Sequence, residues 1–235
     1  MELLIVPFVL VGVPVALVLL LRSDSSAGRQ LGAFLGLSET QRRAFPSFPS
    51  WSADRDRAHA ARDIAQKYGL TYVGDSKEEM ERIAHFFLFR HKPPGVVEAL
   101  VVSESPAIRE ALFTYYDRPR WRSTFAHFTS ARLDLPEFRL SGRGFPLRDR
   151  TAPPIAFTDL PEFTASYEVR GQDETRIRGV LDRFVRTRLA VHGECWIEGK
   201  GSELLCGRSV DYTQAGERDA FFLVAREIRA LFEKR

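Results

Sequence analysis

The sequence is poor in the residues that build disulfide scaffolds, zinc sites and glycosylated surfaces. Its 235 residues contain two cysteines, Cys195 and Cys206, and no asparagine. Two cysteines outside a CxxC arrangement are too few for a disulfide framework or a cysteine-based zinc site. Without asparagine there is no N-glycosylation sequon. The remaining composition, 44% hydrophobic and 28% charged, excludes a disordered or collagen-like chain.

The sequence also has little excess of one sign of charge over the other. The 34 Lys+Arg and 31 Asp+Glu residues give a formal net charge of +3, whereas a nucleic-acid-binding domain usually carries a clustered basic face. Arg118 to Arg122 mixes basic and aromatic residues, but nearby acids dilute the cluster, and we interpret it as a polar turn. We therefore predict no nucleic-acid partner.

A long hydrophobic run occupies the N-terminus. Leu3 to Leu21 contains 19 apolar residues without a break, which makes a helix about 28 Å long, close to the hydrocarbon thickness of a bilayer. No Lys or Arg precedes the run, and Arg22 follows it directly. The positive-inside rule then places the N-terminus outside and the rest of the chain in the cytoplasm. We predict a single-pass cell-membrane protein with a transmembrane anchor at 1–22.

A cleaved signal peptide is the alternative interpretation of this run. Ser25-Ser26-Ala27 is a small-x-small sequence that a signal peptidase could accept, and cleavage there would leave an exported domain beginning at Gly28. The region before the run has no positive charge, however, and the run is longer than a usual signal-peptide core. The uncleaved anchor is therefore preferred.

The segment after the anchor predicts a linker. Residues 23–50 are rich in Ser, Gly and Pro, and they include Arg42 and Arg43. These arginines would lie near anionic headgroups if a short interfacial helix forms; a plain tether is the equal alternative. Two α+β units are predicted beyond the linker, a first at 51–150 and a second (β-α-β-β-α) at 151–235.

The first unit shows one helix, a strand, a second helix and a meander. Apolar periodicity predicts a helix over Ala53–Tyr68 with Gly69 just past its end, and a strand over Leu70–Val73. Asp75 or Ser76 caps a helix that runs to about Ala84. The following strand-like stretches predict an antiparallel meander: Phe86–Arg90, Val96–Ser103, Ile108–Asp117 and Trp121–Thr129.

The second unit is patterned more clearly. Alternation predicts a half-buried strand over Phe163–Arg170, and a single helix with an apolar stripe over Ile177–Leu189 follows Asp173 as N-cap. The arginines on that helix are interpreted as a solvated face rather than a phosphate or lipid site: Arg176, Arg178, Arg183, Arg186 and Arg188. The C-terminal helix has its own apolar stripe: Phe221, Val224, Ala225, Ile228, Leu231 and Phe232.

A hairpin lies between these two helices. If Lys200-Gly201 forms a two-residue turn, Cys195 and Cys206 face each other directly, at a separation that a disulfide can span. We prefer two unpaired thiols in the core, because the cytoplasm is reducing.

No motif of known chemistry is present. The sequence contains no phosphate-binding loop, dinucleotide fingerprint, nucleophile elbow, HExxH motif or calcium loop. Its five histidines lack metal-ligand spacing: His59, His85, His91, His127 and His192. Glu137 and Glu162 share a local context and could act as an acid–base pair, but solvated carboxylates are the preferred interpretation. We predict no catalytic, cofactor-binding or metal residues and no cofactor.

One five-residue element occurs twice. Asp134–Phe138 (DLPEF) recurs as Asp159–Phe163, and both copies are predicted to mark entries into strands. The residues after the second copy form a further pattern: Tyr167, Val169, Gly171, Asp173, Glu174, then Trp196–Gly199 and Leu204-Leu205. With the apolar N-terminus, this order resembles an uncharacterised group of bacterial single-pass membrane-anchored proteins with repeated LPEF-like elements. The resemblance covers about two thirds of the chain and implies an architecture but no activity.

These patterns together predict an α+β protein with an N-terminal transmembrane helix and an antiparallel-sheet domain with packed helices. The predicted function is a membrane-tethered cytoplasmic module, interacting or structural, whose protein partner the sequence does not name. The alternatives are a membrane-anchored hydrolase whose site forms only in three dimensions, and the exported domain described above. Enzymatic activity stays open, with a non-enzyme preferred.

Overall fold

The computed structural model describes residues 49–90, 95–117, 121–142 and 151–233. The predicted anchor and nearly all of the predicted linker lie outside these ranges. Within them, every helix is too short or too polar to span a bilayer. The chain divides into two units at Arg55, and the fold below is that of the second.

The fold is α+β and is built on one large antiparallel sheet. The strands among the described residues are β1 (Thr71–Gly74), β2 (Val96–Glu104), β3 (Ile108–Asp117), β4 (Trp121–Ser130), β5 (Leu135–Gly142), β6 (Pro154–Ile155), β7 (Tyr167–Gly171), β8 (Trp196–Gly201) and β9 (Glu203–Arg208). Their order across the sheet is β1-β2-β3-β4-β9-β8-β5-β7-β6. The α+β class and the antiparallel meander are confirmed. Because β5 lies between β7 and β8, a strand of the first predicted unit is inserted into the second.

Helices cover the sheet unequally. They are α1 (Pro49–Tyr68), α2 (Lys77–Ile83), α3 (Phe87–Arg90), α4 (Pro161–Ser166), α5 (Glu174–Val180), α6 (Arg183–Ala190) and α7 (Ala215–Phe232). Successive strand residues point to opposite faces, so Leu112 and Phe113 belong to different cores. Residues of α1, α4, α5, α6 and α7 pack on one face, called face A. Residues of α2 and α3 pack on the other, called face B.

Several predicted helix boundaries are confirmed. The Ser76 hydroxyl accepts a hydrogen bond from the Glu79 amide at 3.0 Å, and Asp173 accepts one from the Arg176 amide at the same distance. These are N-cap bonds, which satisfy amides that have no partner within the helix. Gly69 has φ +65°, a left-handed conformation suited to the residue after α1. Phe221, Ala225 and Ile228 form the predicted buried stripe of the C-terminal helix.

The prediction of a strand over Phe86–Arg90 is wrong. The amides of Phe89 and Arg90 both donate to the Phe86 carbonyl at 3.0 Å, which makes a short helical turn. Phe86, Leu88 and Phe89 are all buried on face B. A strand would have sent Leu88 and Phe89 to opposite sides, whereas the turn packs both against the sheet.

The start of the predicted strand over Phe163–Arg170 is also wrong. Residues Pro161–Ser166 form α4, and the strand begins at Tyr167. Proline in the first helical turn has no hydrogen bond to lose and a suitable φ, and α4 buries Phe163 in the face A core. The second DLPEF copy therefore opens a helix, while the first copy enters β5 as expected.

The single helix predicted over Ile177–Leu189 is two helices. The first helix ends at Val180 with Leu181 as its C-cap. Asp182 is the N-cap of α6, because its carboxylate accepts a hydrogen bond from the Val185 amide at 2.8 Å. The apolar stripe is otherwise buried as predicted, at Ile177, Leu181, Val185 and Leu189. Phe184 departs from it, with half of its surface exposed.

The hairpin turn lies one residue further along than predicted. Ile197 pairs with Cys206 and Lys200 with Glu203, so the turn residues are Gly201 and Ser202. Gly201 has φ +58°, a conformation that glycine adopts at low cost. Cys195 and Cys206 are therefore not opposite each other. Both are free thiols buried in the core, which confirms the preferred interpretation.

Candidate functional site: a charged row on face B

Face B changes from apolar to charged across the sheet. Residues paired between antiparallel strands lie on the same face. Strand pairing places one such row on face B, from β3 to β7: Ala111, His127, Leu205, Glu198, Arg139 and Arg170. We call its titratable members, His127, Glu198, Arg139 and Arg170, the charged row. α2 and α3 cover its first part, and among the described residues its end at Arg170 lies partly in solvent.

Glu198 supplies the carboxyl group of this row and is buried, with 2% of its surface exposed. It points from β8 to the start of α3 and accepts hydrogen bonds from the amides of Phe87, at 2.5 Å, and Leu88, at 3.4 Å. These amides belong to a helix start and have no partner within the helix. Burial raises the pKa of Glu198 to about 7, although the two amides and the charge of Arg139 oppose the shift.

Arg139 lies opposite Glu198 on β5 and holds the first residue of α3. Its guanidinium carbon is 3.9 Å from the centre of the Phe87 ring, a cation–π contact. The same ring stacks against Trp196, with centroids 6.5 Å apart. The backbone amide of Phe87 therefore binds Glu198, and its ring packs against Arg139 and Trp196, all on the central strands β5 and β8.

His127 is the centre of a second set of buried polar contacts. Its Nδ1 lies 3.1 Å from a Glu79 oxygen and its Nε2 lies 3.3 Å from a Glu203 oxygen. Burial disfavours protonation, but the hydrogen bonds with the two carboxylates outweigh it and raise the pKa of His127. An imidazolium can donate to both carboxylates, one from each ring nitrogen. The contact joins α2, which carries Glu79, to β4 and β9.

Glu79 and Glu203 have further partners. Arg109 on β3 forms an ion pair with Glu79, whose side chain is 1% exposed. Although burial opposes ionisation, hydrogen bonds from His127 and Arg109 lower the pKa of Glu79. His85 lies 3.0 Å from the second oxygen of Glu203. We call these five residues the His127 network: Glu79, Arg109, His127, Glu203 and His85. The network shares His127 with the charged row and adds charges of both signs around it.

The rim of face B is half exposed. Glu137 contacts Lys200 at 3.1 Å and Arg90 at 3.4 Å, and Arg170 pairs with Glu168. Ion pairs of this kind contribute little to stability, because water screens them and their side chains lose conformational freedom. They do leave cations and anions accessible to another molecule.

Comparison with known proteins bears on the fold. No family model matches the chain, and no curated protein matches it. The solved structure of the mycobacterial trehalose monomycolate transport factor A, TtfA, is similar, with a TM-score of 0.57. The likeness covers 76% of this chain and 93% of that chain, at 14% sequence identity. The two chains share a fold. At this sequence identity, the similarity establishes a shared fold alone.

The structure does not bring together the two glutamates of the repeated element. Glu137 lies on face B of β5, whereas Glu162 lies in the first turn of α4, which packs on face A. Two of the five histidines interact with the same carboxylate, which their spacing in the sequence does not indicate. His85 and His127 both contact Glu203. His91 lies outside the described residues. Within the described part of the chain, no group of His, Cys, Asp and Glu side chains is arranged to hold a metal ion.

The arginine-rich helix face is only partly solvated. Arg186 is 7% exposed, and its guanidinium binds both oxygens of Asp159, at 2.5 and 2.8 Å. This bidentate contact ties α6 to the second DLPEF copy, which corrects the interpretation of Arg186 as solvated. Arg176 and Arg188 are half exposed and pair with Asp134 and Glu227.

A second buried arginine belongs to another helix of face A. Arg218 of α7 is fully buried and donates to the Thr114 hydroxyl at 3.0 Å and to the Ala99 carbonyl at 2.8 Å. Ala99 has φ +50° at a bulge in β2. Arg218 therefore fixes α7 to an irregular part of the sheet.

The clefts that described residues line away from the charged row include the following two. One, of about 580 Å³, lies between the start of α2 and the start of β2 and includes Met80, Val96 and Val97. The other, of about 280 Å³, lies beside β6 and β7 and includes Phe157 and Phe163. Neither Glu198 nor His127 lines either cleft.

Proposed function

We propose that the protein is a membrane-tethered accessory module of a transport process and that its folded part binds a protein component of that process. The single observation that carries the proposal is the fold shared with TtfA, which extends over nearly all of that chain. TtfA is described as a factor for trehalose monomycolate transport; we extend only the transport association to this chain, not that cargo.

The N-terminal sequence supports the tether. A run of 19 apolar residues is long enough to cross a bilayer, and the arginines that follow it favour a cytoplasmic location for the folded part. The resemblance to bacterial membrane-anchored proteins with LPEF-like elements agrees with this arrangement. Arg42 and Arg43 would then lie close to anionic headgroups.

The rim of face B is the surface we assign to the partner. Arg170, Lys200 and Glu137 present both charge signs at the rim of the sheet, and all three are partly exposed. Complementary charges across an interface mainly govern orientation and association rate. Binding that uses this rim should therefore weaken as salt concentration rises.

Crosslinking and mass spectrometry on native membranes test the proposal. We expect the full-length chain to remain in the membrane pellet after alkaline carbonate, to resist protease added outside spheroplasts, and to crosslink reproducibly to a membrane transport protein. Charge reversal by Arg170→Glu with Lys200→Glu should reduce the crosslinks at least tenfold. Reversal of Arg62, an exposed arginine of α1, is the matched control and should leave them unchanged.

The opposite results are equally specific. Release of the chain by carbonate, or a mature N-terminus at Gly28, would replace the tether with an exported domain. A chain that stays in the membrane but crosslinks to no transport protein would refute the transport role and leave the tether intact. Unchanged crosslinks in the double charge-reversal variant would place the interface elsewhere.

A further inference from the structure

The outer side of α6 exposes large apolar side chains. Val191, the residue that follows the helix, has 79% of its surface exposed, and Phe184 has 50%. Val191 keeps a helical backbone conformation, so these two residues, seven positions apart, lie on one side of the helix. Exposed apolar residues that gather on one side of an element often mark an interaction surface.

The neighbouring helix α7 extends this surface. Glu227 of α7 pairs with Arg188 and lies 3.6 Å from His192, just past the end of α6. Leu223 precedes Glu227 by one helical turn and is 49% exposed, so it lies on the side of α7 that meets α6. Three of the five large apolar side chains exposed in the described part of the chain therefore belong to this region.

The charge of α6 itself is positive. The helix contains three arginines and no acidic residue. Arg183 is exposed and forms no ion pair within the described residues. Arg188 is 54% exposed in its pair with Glu227, and because water screens such a pair, another anion can compete for this arginine. Arg186 is different, since it is buried against Asp159.

An anionic lipid surface fits both properties. Helices that lie in a membrane interface insert apolar side chains among the headgroups, while basic side chains bind the phosphates. Exposed acids flank α6 in the sequence, Asp182 as its N-cap and Glu194 beyond Val191. These acids limit the net attraction, so the site needs its apolar and its cationic contacts together. A membrane supplies both, whereas a free phosphate supplies one.

We propose that the outer surface of α6, formed by Arg183, Phe184, Arg188 and Val191, docks on an anionic membrane. The proposal rests on the membrane tether proposed above, because a tether raises the effective concentration of lipid at a weak site. The predicted linker, 23–50, would span up to about 90 Å if extended, so the anchor permits this contact. Since α6 packs on face A, docking turns the rim of face B away from the lipid and towards a protein partner.

A fluorescent label on the full-length protein in lipid vesicles tests the contact. The native thiols are buried, so an environment-sensitive nitrobenzoxadiazole dye attaches selectively to the thiol in Val191→Cys. In vesicles of phosphatidylglycerol and phosphatidylcholine, we expect its emission to shift to shorter wavelength and to be quenched by spin-labelled lipid. In vesicles of phosphatidylcholine alone, we expect the emission of a dye in water. The matched control is Val73→Cys on β1, 47% exposed, which should report water in both.

A charge substitution tests the role of the arginines. Arg183→Gln in the Val191→Cys protein should lower the ratio of docked to free label about fivefold, the contribution of one basic residue near an anionic surface. Arg62→Gln, at an exposed arginine of α1, should leave the ratio unchanged. Equal effects of the two substitutions would overturn the proposed site.

The remaining outcomes separate docking from the tether. Flotation of the chain with neutral vesicles reports the anchor alone. A chain that floats with anionic vesicles while its label at 191 stays in water refutes the docking and leaves the tether intact. A chain that does not float refutes the tether and the docking with it. A shift that depends on protein concentration and not on lipid charge would assign this surface to a second copy of the chain and overturn the proposal.

Discussion

The imidazole of His127 and the carboxylate of Glu79 lie 3.1 Å apart in a site where each is 1% exposed. They come from β4 and α2, 48 positions apart along the chain. Because α2 contributes few apolar side chains to face B, this contact is one of its main attachments to the sheet.

Replacement of His127 should destabilise the fold strongly. His127→Ala leaves the buried Glu79 carboxylate with one fewer donor, and breaking a buried ion pair from one side costs about 3–5 kcal/mol. Urea unfolding of the purified full-length protein measures the loss. The matched control is His59→Ala, an exposed histidine on α1, which should change stability by less than about 0.5 kcal/mol.

The same network predicts acid sensitivity. The pKa of Glu79 and that of Glu203 are lowered by their hydrogen bonds with His127, against the effect of burial. Their stabilising contribution is therefore present above their ordinary pKa of 4.5 and is lost as the pH falls below it. Melting temperatures at pH 3 to 6 should show a steep fall below pH 4.5, and Glu79→Gln should flatten it. An identical fall in that variant would assign the acid sensitivity to other groups.

Titration near neutral pH tests whether the pKa of His127 is raised. Its pKa is raised above 6.5, so its contribution is complete below pH 6.5 and is lost as the pH rises through its folded-state pKa. NMR titration of the imidazole should therefore give His127 a midpoint above the ordinary histidine value of 6.5. A titration midpoint below 6.5 would contradict the double hydrogen bond.

Gly207 leaves space for Phe125, and filling that space should be costly. A Cβ at position 207 would lie 2.2 Å from a carbon of the Phe125 ring. Gly207→Ala must displace this ring, which packs against Phe89 and Phe113; overpacking of this kind costs about 1–3 kcal/mol. Gly179→Ala is the control, because a Cβ there meets no atom within 4 Å and improves helix propensity. Urea midpoints should move in opposite directions.

The two cysteines should be unreactive in the folded protein. Burial raises the pKa of Cys195 and raises that of Cys206 further, and alkylating reagents need both access and a thiolate. We expect labelling by iodoacetamide to be at least a hundredfold slower in the folded protein than in urea. Fast labelling of either thiol in the folded protein would show that β8 and β9 separate readily.

Local patterns predict part of this structure, and long-range contacts decide the rest. The caps at Ser76 and Asp173 depend on neighbouring residues, and the sequence predicts both. The turn over Phe87–Arg90 depends on Glu198, 111 residues from Phe87, and no local pattern indicates it. His127 lies two residues after Phe125 on β4, so the two side chains share face B. Its carboxylate partners come from α2 and β9, so the network itself could not be inferred from spacing.

The position of β5 restricts the order of events during synthesis. β5 pairs with β7 on one side and with β8 on the other, and β4 pairs with β9. When the ribosome has completed the first five strands, β5 still lacks both of its neighbours, β7 and β8, and β4 still lacks β9. Ribosome-bound chains shorter than about 210 residues should therefore expose unpaired strand edges and attract chaperones.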